Sequence, residues 1–131
     1  MQKLQYRLLL SGLAILALYH IVVLLGGIGF ENVWGGKITQ KSMMIRLETI
    51  SLGIVIASMI IVWQSAIGNH RLWVRVGVWI VSALFFLSAF ANLFAQNWIE
   101  KIVSVPLALG IGVLACRVAL KSKDNYKKEL S

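Results

Sequence analysis

Long apolar stretches alternate with short polar breaks along the chain. Four apolar runs stand out, Leu8–Ile28, Met43–Ile67, Leu72–Ala95 and Trp98–Leu120. Each exceeds the roughly 20 residues that a helix needs to cross about 30 Å of hydrocarbon. Inside a bilayer every backbone N–H and C=O has to be satisfied within its own segment, so runs of this length read as helices. Strand alternation is absent, which argues against a barrel. The breaks are a loop from Gly29 to Ser42, a turn at Gly68-Asn69-His70-Arg71 and a shorter one at Gln96-Asn97. Such short connections reverse the direction of consecutive helices. The expected fold is all-α: one polytopic membrane domain, an antiparallel up-down-up-down bundle of four transmembrane helices, with a basic tail over 121–131.

Within the runs, polar and small residues recur at helical spacing. In the second run Glu48, Ser51, Val55, Ser58, Val62 and Ser65 fall at steps of three and four, on one stripe. Lipid cannot hydrogen-bond serine or glutamate, so this stripe is expected to face protein. The fourth run carries Ser104, Ala108, Gly112 and Cys116 at steps of four, a small-residue face that lets another backbone approach. The third has Ser88, Asn92 and Gln96, and the first has Gly12, Leu16, Tyr19, Val23 and Gly26, with His20 beside them. Four such faces can close one bundle, and the same faces suit a homodimer. Pro106, about two turns into the fourth run, frees the carbonyl of Ile102 and predicts a kink.

Composition points the same way. The chain is 59% hydrophobic and 14% charged, with a mean hydropathy of +0.81. Soluble domains are about 45–50% apolar and about 25% charged. Disordered chains, coiled coils and disulfide-stapled modules are excluded as well. Cys116 is the single cysteine, so it forms no internal disulfide and no cysteine metal site, and reads as a packing residue. Lys3 and Arg7 precede the first run as they would in a signal peptide. That run is too long for one and lacks a small-residue cleavage pattern, so a retained helix is expected.

The net charge of +8 is divided unevenly. Lys3, Arg7, Arg71, Arg75, Arg117, Lys121, Lys123, Lys127 and Lys128 fall on one side of the membrane, against Lys37, Lys41, Arg46 and Lys101 on the other. That asymmetry places both ends of the chain in the cytoplasm, the protein being multi-pass in the cell (inner or plasma) membrane. The tail suits anionic headgroups or a solvated end, and no folded basic surface is left over for nucleic acid. Trp34, Trp73 and Trp98 lie near helix ends, where amphipathic rings anchor at the headgroup level.

The candidate chemistry follows from depth. His20 lies about twelve residues into the first run, roughly 18 Å from the cytoplasmic side. Glu48, Asn92 and Glu100 sit near the same outer end of their helices. Ionisable groups inside a bilayer are costly and face the bundle interior or water. His20, Glu48, Asn92 and Glu100 are therefore expected to line a polar pocket opening outward. The loop Gly29–Lys37 would be its lid: Gly35-Gly36 permits a sharp turn that folds Trp34 over the pocket. A bland reading stands beside it, in which Glu48 snorkels or pairs with Arg46 or Lys101 and His20 bonds a neighbouring helix. No phosphate loop, dinucleotide fingerprint, zinc motif or nucleophile elbow is present, and His70 lies a bilayer away from His20. No cofactor, metal site or catalytic residue is expected.

The Glu31-Asn32-Val33-Trp34-Gly35-Gly36-Lys37 loop, with Glu48 in the helix that follows, resembles a group of small bacterial four-helix integral membrane proteins with a Val-Trp-Gly-Gly-basic outer loop. The resemblance covers most of the chain, rests on that loop, and implies no activity. Small multidrug exporters also pack four helices into this length, but their essential carboxylate lies in the first helix, where this chain has none. Membrane sterol isomerases, with His and Glu inside a bundle, are a looser analogy. The expected function is non-enzymatic: binding a lipid-like or amphipathic ligand, or supporting a membrane partner. The alternatives are a proton-linked transporter or exporter acting as a homodimer, and an intramembrane enzyme using His20 and Glu48 as acid and base.

Overall fold

The computed structural model describes residues 2–29, 32–69, 71–95, 98 and 100–129, and their side chains except those of 2, 35, 100 and 122–129. Four α-helices follow in order: α1 (Gln2–Leu24), α2 (Lys41–Ala66), α3 (Leu72–Leu93) and α4 (Val105–Glu129). A 3-10 turn (Trp34–Gly36) lies between α1 and α2, and a π turn (Glu100–Ser104) precedes α4. All four helical segments are long and apolar enough to cross a membrane, and no strand occurs among the described residues.

The helix ends differ from the apolar runs in instructive ways. The first run extends to Ile28, but α1 stops at Leu24. Gly26, at φ 81°, takes the left-handed conformation that closes a helix. The Gly26 N–H then donates to the Val23 carbonyl and the Gly27 N–H to that of Val22. At the other end α1 begins before Leu8, because Lys3 and Arg7 are good helix formers outside the apolar zone. The basic tail likewise continues α4 in its backbone as far as Glu129. Pro106 follows the five residues of the π turn and Val105, so it stands close to two turns into a continuous helical stretch, as expected. The irregularity it imposes is the wide π turn directly before it, which relieves the clash with the carbonyl four residues back. The turn residues His70, Gln96 and Asn97, and the loop residue Glu31, lie outside the described residues.

One core joins all four helices through Leu9 and Leu13, Val55 and Val62, Val78, Val81 and Phe85, and Ala108, Ile111, Ala115 and Val118. The surface is apolar too: Ile15, Leu18, Ile60, Ile80, Leu87 and Phe90 are each more than half exposed. Close packing and interhelical hydrogen bonds join the helices. Both devices are present. The Ile61 side chain lies against Gly77, Ile111 against Gly12 and the Phe86 ring against Gly112. The small-residue face of α4 is thus occupied within the chain: Ala108 and Gly112 are buried, and Ser82 Oγ donates to the Gly112 carbonyl at 2.9 Å. Cys116 is half-buried with a free thiol.

Cross-helix bonds show which ends meet. Tyr6 near the start of α1 bonds Ser65 near the end of α2 (2.9 Å), and Lys121 Nζ of α4 donates to Gln5 Oε1 of α1 (3.2 Å). His20 near the end of α1 meets Glu48 in the early turns of α2. Tyr6, Gln5, Ser65 and Lys121 thus share one end of the bundle, and His20, Glu48 and the 3-10 turn share another.

Candidate functional site

The expected stripe of α2 faces inward. Met44, Glu48, Val55, Ser58, Val62 and Ser65 are its buried residues, while Ser51 on the same stripe is half-buried. Ser58 Oγ donates to the Ile54 carbonyl within the helix (2.8 Å). Glu48 is only 2% exposed, and both its oxygens are engaged by groups from elsewhere in the chain. His20 Nδ1 lies 2.5 Å from Oε2, and Trp34 Nε1 donates to Oε1 at 2.8 Å. Burying a carboxylate is costly unless it is paired and hydrogen-bonded, and here imidazole and indole satisfy one oxygen each. Arg46 and Lys101 are exposed, so neither is needed as its partner. Next along α1, the Tyr19 ring meets His20 edge-on, with centroids 5.6 Å apart.

Trp34 reaches Glu48 through an uncommon backbone. Its φ is 56°, left-handed in a bulky residue, and Gly36 follows at φ 71°. A conformation of this kind costs about 1–3 kcal/mol and persists only where the surroundings impose it. Val33 and Ile38 impose it. Both are buried, packed with Val23 of α1 and Met44 of α2 beneath Tyr19, Ile28 and Leu47. The loop is pinned on either side of Trp34, and the indole hangs between the pins with its N–H on the carboxylate. Sequence inspection marked Gly35-Gly36 as the flexible element and missed these two anchors. Their signal was weak: Val33 and Ile38 share the loop with the aromatic Phe30 and Trp34 and with the β-branched Thr39.

The group opens onto a cavity of about 440 Å³ lined by all four helices and the loop. His20, Glu48, Trp34 and Lys37 lie at its polar end, with Ser51, Ser88, Asn92 and Ser104 on the walls. Leu16, Val55, Phe85 and Leu107 supply apolar surface. Asn92 is half-buried, and its side chain has no hydrogen bond to another described residue. Of the residues singled out in the sequence, His20, Glu48, Trp34 and Asn92 thus come to one cavity. Glu100 begins the π turn, but its side chain lies outside the described residues. Lys37 and the three serines were not among the candidates: the serines lie on the helically spaced faces read as packing surfaces, and a loop lysine carries no pattern in sequence. Against known families, curated proteins and solved structures alike, the chain finds no match.

Proposed function

We propose that this chain is a multi-pass protein of the cell (inner or plasma) membrane that binds an amphipathic ligand, without catalysis, in the cavity at the outer end of its bundle. The helices run antiparallel, up-down-up-down, with both ends of the chain cytoplasmic. The Tyr6–Ser65 and His20–Glu48 pairings support the antiparallel order of α1 and α2. The excess of lysine and arginine at the end opposite the cavity supports the orientation. The single observation behind the ligand reading is the cavity itself. It joins a hydrogen-bonded His20–Glu48–Trp34 group to apolar walls, within the roughly 300–1,000 Å³ typical of ligand sites. The test is native mass spectrometry of the protein released from mild detergent after purification from its membrane. The expected result is co-purifying lipid-like species that are lost in Ala91→Trp, which fills the cavity from an exposed wall position. Equal occupancy in wild type and Ala91→Trp rejects the proposal.

A second reading, proton-linked transport by a homodimer, is favoured by the imidazole–carboxylate pair in that cavity, two proton-carrying groups in hydrogen-bond contact. It requires substrate uptake into proteoliposomes driven by a pH gradient and abolished in His20→Ala. Uptake independent of the gradient refutes it.

A further inference from the structure

Resting on the reading of the cavity as a ligand site, we infer that its occupant is an uncharged amphipath with a hydroxyl-bearing headgroup, received sideways from the bilayer through a gap between α2 and α3. Charge comes first. Among the described lining residues Glu48 is the one carboxylate and Lys37 the one ammonium, and their formal charges cancel. A charged headgroup would add an uncompensated charge in a low-dielectric space. Glu48 does not present itself to the ligand, because its two oxygens are turned to His20 and Trp34.

Hydrogen-bonding character comes next. Asn92, Ser51, Ser88 and Ser104 are neutral groups that both donate and accept, which suits a polyol or a hydroxy-ester.

Shape gives the route. Ile54 of α2 and Leu84 and Leu87 of α3 line the cavity and are also 43%, 40% and 64% exposed on the bundle surface. Residues that belong to both surfaces form a rim; these three make its apolar flank between α2 and α3, and Trp34, Lys37, Ala91 and Phe94 continue it at the loop end. Toward the Gly68 turn the two helices close up, with Ile61 against Gly77. A volume of about 440 Å³ accommodates a headgroup and the first part of one chain. The remainder of that chain passes between the rim residues into the surrounding acyl layer.

The test measures binding of three single-chain probes, monooleoylglycerol, oleate and lysophosphatidylcholine, to the full chain in nanodiscs by native mass spectrometry. Monooleoylglycerol is expected to bind about tenfold more tightly than either charged probe. Asn92→Leu is expected to weaken it several-fold, and Ile54→Trp, which narrows the rim, to abolish it. Both are surface-accessible or half-buried positions, and a circular-dichroism spectrum equal to wild type verifies their fold. Oleate or lysophosphatidylcholine binding as tightly as monooleoylglycerol overturns the headgroup assignment and leaves the ligand site standing. Unchanged binding in Ile54→Trp overturns the route. Failure of all three probes, with no co-purifying lipid, overturns the ligand site itself.

Discussion

Glu48 offers the sharpest test of the buried pair. It is 2% exposed and accepts from two side chains that arrive from α1 and from the loop. Glu48→Ala leaves the largely buried imidazole and the 39% exposed indole without their acceptor. The expected loss is about 2–4 kcal/mol, less than two fully buried donors would cost because water reaches the indole. His20→Ala leaves the Trp34 bond in place and frees one oxygen, so its expected loss is smaller, about 1.5–3 kcal/mol. The informative quantity is the coupling between the two. Hydrogen bonds between membrane helices average about 0.6 kcal/mol and reach about 1.7. A charge-assisted bond is roughly twice as strong as a neutral one, which places this pair near the upper figure. The double-mutant cycle of His20→Ala and Glu48→Ala should therefore give about 1.5 kcal/mol. Reversible unfolding in mild detergent, titrated with a denaturing detergent and followed by circular dichroism, measures each corner of the cycle. Additivity within about 0.3–0.5 kcal/mol, as for residues that do not touch, would refute the pairing.

Other expectations follow from backbone and packing. At Trp34, φ 56° reverses the usual ranking of alanine over glycine. Trp34→Gly should be about 1 kcal/mol more stable than Trp34→Ala in the same unfolding assay, and the opposite order would show that the loop does not hold the left-handed conformation. A Cβ on Gly77 would sit 2.9 Å from Ile61 Cγ2, so Gly77→Ala should cost about 1–3 kcal/mol. Gly53 has open space at the same atom, and Gly53→Ala should stabilise α2 by about 0.5–1 kcal/mol. Equal effects at the two glycines would contradict the close approach of α2 and α3. Ser82→Ala removes the bond to the Gly112 carbonyl and should cost about 0.6–1.7 kcal/mol, with no loss of monooleoylglycerol binding, since Ser82 does not line the cavity.

The sites of disagreement between sequence and structure share a cause. The apolar runs mark where chain can lie in lipid, but a helix begins and ends by its own capping rules. Gly26 stops α1 while the chain is still apolar, and α4 continues past Lys121 where it is not. On α3, Ser88 and Asn92 line the cavity, while the buried contacts run along the neighbouring stripe of Val74, Val78, Val81, Ser82, Phe85 and Ala89. Polar spacing alone does not separate a face that lines a cavity from one that packs.

The sequence by itself determined the helix count, the apolar zones and the inward stripe of α2, because length, hydropathy and a 3.6-residue period are local properties. It also pointed to His20, Glu48 and Asn92 as neighbours, since rise per residue converts position along a helix into height, and the three line one cavity. Only the tertiary structure decided that Glu48 bonds His20 and Trp34 rather than Arg46 or Lys101. It alone showed that Val33 and Ile38 are buried on either side of a left-handed Trp34, and that all four helices line one cavity. Those facts depend on the rotation of each helix about its axis and on contacts between residues far apart in the chain, which no local pattern encodes.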